Sequence, residues 1–531
     1  MTSAADVIAG QMGLDLVCLD RIYLNGYVPN LQVAGQVVTF MRDHLGLPIP
    51  SPAVMEKMGS RFRAAVAQLA EEEHVPVIVF AKTDRKLDKV RPLLDKAAKS
   101  GRSQLVAVGV AQEFANVFAS SKKQMPSGAP WFSFYKADRR VTCYYFYVWD
   151  EEFGPGFVKV CSYFPYPMKI WVNGHEWAKR QAHKAGIGFK ELSNGFYSCD
   201  DPAGLQAICD RLGPAHIRRF AEYWWARLPL PLDSADREAG YWWDLSMRQI
   251  EVSRTIAFTA PRFARSFFEA LITDNLTLGR PDTLEIIFGK RINGGKKRPT
   301  ITDTKTKVVN DGDQVAINTF YKHSRIKQYL KDGRALRIET VCNSPTDLDV
   351  KRRLEHLPEL VAKARAINDR LLDTETAGQD CVLAAPAFER IASPTKCEAG
   401  RAPALRFGDP RVQALASTLL ITLGAVTGIT NKSLRAGMTA NLAAPYTTSQ
   451  ASYDLRRLRL KGLIERRPNT NIYDLTRDGR RFALFYTKLH DKILIPLMAA
   501  DHPPAPHDLQ QALNTIDLHV TNYTTRAQLA A

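Results

Sequence analysis

Helix-period patterns and short apolar runs alternate through the first 125 residues. Ala53–His74 repeats its apolar positions at helical spacing, and Val75–Ala81 (VPVIVFA) is a buried-strand run. Leu87–Lys99 is helical again, Gln104–Val110 (QLVAVGV) is a second buried strand, and Glu113–Ser120 has helical spacing. Apolar strands separated by helices predict an α/β layer with helices covering a sheet. Lys122–Pro130 (KKQMPSGAP) is a polar break with Pro and Gly, and it predicts a domain boundary.

Beyond that break the pattern changes to alternating, aromatic-rich strands. Arg140–Trp149, Phe157–Phe164 and Met168–Val172 are rich in β-branched and aromatic residues, with short turns between them. They predict an antiparallel meander. A helix is expected from about His175, and Leu205–Leu228 and Tyr241–Ile256 carry further helical patterns. The stretch 258–374 is mixed. It has a helix at Pro261–Leu278, strands at Thr283–Phe288, Gln314–Tyr321 and Ala335–Val341, and a long charged helix from about Thr346 to Thr374. Residues 375–402 have the composition of a linker. Three helices follow, at Asp409–Thr427, Asn431–Leu442 and from Thr447 or Thr448 to Lys461, then a short strand pair and a fourth helix.

The predicted fold class is therefore multidomain α/β (α+β), with an antiparallel aromatic-rich sheet region and a C-terminal all-α, winged-helix domain. The expected domains are 1–125, 131–257, 258–374 and 403–531, with 375–402 as linker. A chain of 531 residues has room for them at roughly 100–200 residues each.

Composition adds the partner. Basic residues outnumber acidic ones by 72 to 55, a net charge of +17, and an excess of this size implies a polyanion. The N-terminus has no basic and apolar signal segment, and no apolar run reaches the ~20 residues that span a bilayer. A cytoplasmic protein without a membrane partner is expected. The eight cysteines form no CxxC pair, so neither disulfides nor a structural zinc is expected. There is no Walker A, no GxGxxG and no GxSxG, which disfavours ATP-driven motors, nucleotide or flavin cofactors and α/β-hydrolases.

The run TTSQASYDLRRLRLKGLIERRPNTNIYDLTRDGRRF resembles winged helix-turn-helix modules of bacterial regulators and replication proteins. The resemblance covers about 85 residues and rests on L-x-x-L-x-x-K-G-L-I-E-R, a wing turn and Y-x-L-T. It implies that the second helix of the turn enters a DNA major groove. Thr448, Ser449, Gln450, Tyr453, Arg456, Arg457 and Lys461 would face the groove, with Arg466, Arg467 and Asn469 on the wing. A protein-interaction module with a solvated basic face is the alternative. Over its whole length the chain also resembles a group of bacterial proteins of similar size, which carries no activity with it.

Gln314–Val341 resembles the strand pairs of rolling-circle replication initiators and relaxases, through Tyr321-Lys322 and the strand Leu336-Arg337-Ile338-Glu339. The resemblance implies a tyrosine nucleophile, Tyr321 or Tyr329, a cation at Lys322 and a metal-holding Glu339. The chain lacks the H-x-H ligand pair of those enzymes, so a structural role is the alternative. The order of Asp150, two more strands and a helix bearing His175 and Glu176 resembles RNase H-like nucleases, with Mg²⁺ or Mn²⁺ between the carboxylates. Asp200, Asp201 or Asp244 would complete that set, whereas a hairpin turn and a helix cap are the plain alternatives. Lys290, Arg291, Lys296, Lys297, Arg325 and Lys327 lie in a stretch with thirteen Lys/Arg and four Asp/Glu, and are candidate phosphate contacts. All eight tryptophans fall between Trp131 and Trp243. Trp224, Trp225, Trp242 and Trp243 are expected in the core, and Trp131, Phe132, Phe134 and Tyr135 beside Lys136, Arg139 and Arg140 are a candidate stacking platform.

The expected function is nucleic-acid binding with metal-dependent phosphodiester cleavage or strand transfer, in a bacterial mobile element or defence system. DNA is the expected partner and RNA the second. A non-enzymatic regulator or an RNA-associated, RNA-guided binder is the alternative, and a homodimer through the charged helix is a further expectation.

Overall fold

The computed structural model describes residues 11–124, 130–278, 306–311, 314–377, 385–397, 400–422, 428–442 and 444–490, with residues 511, 515, 518 and 519 singly. The described residues form two compact units, one ending at Leu372 and the other beginning at Asp373.

The first unit opens with β1 (Met12–Tyr27), α1 (Ala34–Thr39), α2 (Pro52–Glu72), β2 (Val77–Val79) and α3 (Lys86–Ala98). Strands β3 (Gln104–Gln124), β4 (Pro130–Asp150), β5 (Gly154–Cys161) and β6 (Met168–Asn173) follow. Next come α4 (Gly174–Lys184), the hairpin β7 (Phe189–Leu192) and β8 (Gly195–Cys199), α5 (Pro202–Arg211), α6 (Pro214–Trp225) and α7 (Ser234–Glu238). The unit closes with β9 (Asp244–Phe258), α8 (Pro261–Leu278), β10 (Thr306–Asp311), β11 (Gln314–Tyr321), β12 (Ser324–Lys331), β13 (Ala335–Cys342) and α9 (Leu357–Ala377).

Eleven strands form one sheet in the order β10-β11-β12-β13-β9-β1-β6-β5-β4-β3-β2. Every pairing is antiparallel except β2 with β3. The three segments expected as separate domains thus contribute strands to a single sheet. Its order shows an internal duplication. From the centre outward one half runs β1-β6-β5-β4-β3 and the other β9-β13-β12-β11-β10, and the antiparallel pair β1–β9 relates them by a local two-fold. The sequence carries no repeat that signals it.

Several elements depart from the sequence pattern, the strands among them because pairing overrides local spacing. Glu113–Ser120 is strand, not helix: its residues pair with Phe134–Val141 in a long two-stranded arm, which Lys122–Gln124 and Pro130–Phe132 continue where a break was expected. Tyr241–Ile256 is not helical either. From Asp244 it is β9, held between β1 and β13, with register shifts against β1. Leu205–Leu228 is broken into α5 and α6 at Leu212–Pro214. The charged helix starts only at Leu357, after two 3₁₀ turns. It packs on the sheet, where Asn368 Nδ2 donates to Val252 O (3.0 Å) and Thr340 Oγ1 to Asn368 Oδ1 (2.7 Å), so its inner face is not left for a second copy of the chain. The predicted strand Thr283–Phe288 lies outside the described residues.

Opposed residues of antiparallel strands share a face, which defines the two sides of the sheet. One side carries Tyr144, Val160, Met168, Leu24 and Ile250. Helices cover it: Phe62 of α2 meets Tyr144 edge-on, and Trp225 of α6 donates to Met168 Sδ. The other side is covered only at its ends. Phe80 and α3 lie over Tyr145 and Tyr147, where Gly109 leaves room, since a Cβ there would sit 2.3 Å from the Phe80 ring. The β7–β8 hairpin lies over Arg337.

The second unit comprises α10 (Ala385–Ala392), β14 (Thr395–Cys397), β15 (Gly400–Ala402), α11 (Pro410–Thr422), α12 (Asn431–Leu442), α13 (Thr448–Leu460), β16 (Ile464–Arg466), β17 (Tyr473–Leu475) and α14 (Arg477–Leu489). Leu415, Leu434, Leu455, Leu458, Phe482 and Tyr486 lie in its core. Thr430 caps α12 by accepting from Ser433 N (3.0 Å). Thr447 caps α13, and Gly462 ends it at φ +69° as expected of a C′ glycine. The expected linker is folded in part: α10 and the β14–β15 hairpin lie against the end of α13. No described helix is long and apolar enough to cross a membrane.

Candidate nucleic-acid interface

The capping box at Thr447 sets the start of α13. Gln450 N donates to Thr447 Oγ1 (3.3 Å) and Thr447 N to Gln450 Oε1 (2.8 Å), so the Gln450 side chain is engaged in the cap. Helical periodicity then places Ala451, Leu455 and Leu458 inward and Ser449, Ser452, Tyr453 and Arg456 outward, with Tyr453 49% exposed. Two helices are tied together at this end: Asn431 Nδ2 donates to Thr448 O and Ser452 Oγ, and Arg435 to Thr448 Oγ1.

Two expected groove contacts are folding contacts instead. Arg457 turns inward and donates to the carbonyls of Pro403 and Ala404. Lys461 is fully buried and donates to Arg390 O (2.8 Å), Ser393 O (2.7 Å) and Thr395 Oγ1 (3.0 Å). Burial, then the neighbouring Arg457 and Arg390, push its ammonium down to about 8. On the hairpin turn Arg466 is exposed and donates to Thr470 O, whereas Arg467 pairs with Asp474 (2.7 Å).

The residues expected to carry phosphodiester chemistry in the first unit are spread out. Asp150, at the end of β4, accepts from Glu152 N (2.9 Å), Phe153 N (3.0 Å) and Trp224 Nε1 (3.0 Å). It is buried and closes a hairpin turn, the plainer of its two expected roles. Asp150→Ala should cost about 1–3 kcal/mol in a urea titration, because a buried indole N–H and two backbone N–H groups lose their acceptor. An unchanged midpoint would remove Asp150 from the fold and return it to the catalytic candidates.

His175 and Glu176 start α4 behind Asn173, which caps the helix by accepting from both their backbone N–H groups. Their side chains serve different networks. Burial opposes ionisation of Glu176, yet Lys179 and Arg180 hold its carboxyl below the usual range through bonds of 3.0 Å. His175 Nε2 lies 2.8 Å from Arg337 Nη1 and 3.1 Å from Ser253 Oγ, under the β7–β8 hairpin. Accepting from the guanidinium places its proton on Nδ1. Burial, and Arg337 against the pull of Asp20, hold the imidazole down to about 3. Asp201 caps α5 through Gly204 N, and Asp244 lies 3.7 Å from Arg218. Among the described residues, no three His, Cys, Asp or Glu side chains converge on a metal-sized site.

The second set is also dispersed. Tyr321 ends β11 opposite Ser324, three residues along β12 from the Lys327–Glu339 pair, and its side chain is outside the described part. Lys322 stands in the turn at φ +51° and donates to Asp347 O (3.3 Å). Tyr329 donates to Glu339 Oε1 (2.7 Å), and burial, with Glu339 beside it, pushes its phenol far up, the wrong direction for a nucleophile. Glu339 belongs to the buried network of Arg337. Burial and then Asp20 raise its carboxyl to about 7. Arg325 and Lys327 lie on the less covered side of the sheet, opposite Val341 and Glu339. Lys290, Arg291, Lys296 and Lys297 lie outside the described residues.

Of the four tryptophans expected in the core, Trp224, Trp225 and Trp243 are buried and Trp242 is half-buried. On the arm, Trp131 and Tyr135 are 50% and 46% exposed, while Phe134 is buried. A further group escaped the sequence analysis. On the less covered side, between α3 and the β7–β8 hairpin, Phe157, Trp171 and Tyr23 stand side by side on β5, β6 and β1, with Lys159, Lys169 and Arg248 around them. The signal was the period of two in Met168–Asn173, where Lys169, Trp171 and Asn173 are the outward positions. No family model, no curated protein and no solved structure matches this chain.

Proposed function

We propose that this chain is a nucleic-acid-binding protein whose second unit is a winged helix that sets α13 into the groove of a DNA duplex. The observation that carries the proposal is the division of α13: its apolar side is buried in the core, and Ser449, Ser452, Tyr453 and Arg456 stand exposed along the other side. Exposed hydroxyl, phenol and guanidinium groups on a helix tied at its N-terminus suit base edges and phosphates. The net charge of +17 favours the same partner. Binding is preferred to cleavage because Asp150, Glu176, Tyr329 and Glu339 are engaged in bonds within the fold.

The test is a titration of labelled duplex DNA at several salt concentrations, followed by a denaturing gel with and without Mn²⁺. Arg456→Ala is expected to weaken duplex binding about 5–10-fold and to reduce the salt slope by about 0.9. Unchanged affinity and slope would overturn the proposal. Mn²⁺-dependent cleavage abolished by Glu339→Gln would replace it with an enzyme.

A further inference from the structure

The first unit presents a second surface with its own chemistry. Phe157 and Trp171 lie parallel, 6.0 Å between centroids and 10° between planes, and Tyr23 meets Phe157 at 6.1 Å. These three rings are half-buried, and Phe157 packs on Tyr145 (5.5 Å) and Tyr147 (5.8 Å) as well. Two cations lie over one of them: Lys169 Nζ is 5.4 Å and the Arg248 guanidinium 6.0 Å from the centre of the Tyr23 ring.

Charge is not balanced across this strip. Lys159 is satisfied by Glu113, and Arg21 lies 3.6 Å from Glu251. Among the described residues neither Lys169 nor Arg248 has a carboxylate within 4.0 Å. Burial, then Arg248 and Lys159, draw the Lys169 ammonium down to about 8, so an arriving anion would relieve it. A half-buried Trp171 beside cations without a carboxylate is complementary to an anion that also exposes flat rings. A duplex hides its base faces in the stack, whereas an unpaired strand offers them.

We propose that this strip binds an unpaired nucleic-acid strand, with a base stacked on Trp171 and the backbone phosphates held by Lys169 and Arg248. The proposal rests on the nucleic-acid reading above but on separate residues. The chain then has one site for paired and one for unpaired nucleic acid.

The test uses the full chain with end-labelled oligo(dT) and oligo(U) of about twelve nucleotides and a duplex of equal length. The Lys169→Ala/Arg248→Ala variant is expected to lose about ten-fold in single-strand affinity, with a salt slope lower by about 1.4. Trp171→Leu is expected to lose about ten-fold through lost stacking, its unfolding midpoint serving as the check on folding. Duplex affinity stays unchanged in both, and Arg456→Ala shows the reverse pattern. Unchanged single-strand affinity in Lys169→Ala/Arg248→Ala overturns the proposal. An equal loss on duplex also overturns it, by placing duplex on the sheet. A failure of Arg456→Ala to affect duplex sinks the winged-helix proposal alone.

Discussion

Arg337→Ala is expected to cost the first unit about 3–5 kcal/mol, the usual penalty for leaving a buried charge without its partner. Arg337 is fully buried on β13 and reaches across the local two-fold. Its Nη1 lies 3.1 Å from Asp20 Oδ2 on β1, 2.8 Å from His175 Nε2 on α4 and 3.1 Å from Ser253 Oγ on β9. Nη2 donates to Asn194 O in the hairpin above, where Gly195, at φ +141°, lies so close that a Cβ would be 2.6 Å from the guanidinium. One side chain thus holds two halves of the sheet and the hairpin together. Removing it strands Asp20, which also accepts from Asn194 Nδ2 (2.8 Å). The urea unfolding midpoint of Arg337→Ala should fall sharply, and Asp20→Asn/Arg337→Met should recover part of the loss because no lone charge remains. A double variant no more stable than Arg337→Ala would show that packing, not charge, sets the cost.

Glu339→Gln should uncover an acid sensitivity that the native chain hides. Folded His175 is held at about 3, whereas in the unfolded chain it titrates near the ordinary value of about 6.5. Its contribution to stability is therefore full above about 6.5 and is lost as the pH falls toward 3. Glu339 acts in the opposite sense. Its folded carboxyl is raised to about 7 against an unfolded value of about 4.3, so its contribution is full below about 4.3 and is lost as the pH rises through 7. Between about pH 4.5 and 6.5 the folded state holds the Glu339 proton while the unfolded state holds that of His175, and the two slopes cancel. Glu339→Gln leaves His175 alone, and stability should fall by about 1.4 kcal/mol for each pH unit of acidification in this window. His175→Gln should show the opposite slope. Urea midpoints measured across the window decide it, and parallel profiles for native chain and variants would mean that neither group titrates as described.

Local signals in the second unit survived folding because they depend on neighbours in sequence. The Thr447–Gln450 capping box, Gly462 at the helix end and the helical spacing of Ala451, Leu455 and Leu458 need no distant partner to be read. The same sequence could not tell Arg456 from Arg457. One turns to solvent, and the other finds the Pro403 and Ala404 carbonyls, which α10 and the β14–β15 hairpin bring near. Lys461 likewise reads as a surface cation until the folding of the supposed linker surrounds it.

By itself the sequence determined the mixed α/β class, the basic charge, the burial of Trp224, Trp225 and Trp243 and the starts of α12 and α13, since composition, periodicity and caps are properties of adjacent residues. Only the tertiary structure decided that β1, β9 and the β3–β4 arm are strands of one duplicated sheet. The pairing of β1 with β9, between residues more than two hundred positions apart, leaves no local pattern. It likewise decided that Asp20, His175, Ser253 and Arg337 meet, and that Tyr23, Phe157 and Trp171 line up beside Lys169 and Arg248. Strand register sets which side chains share a face, and register is a property of the assembled sheet.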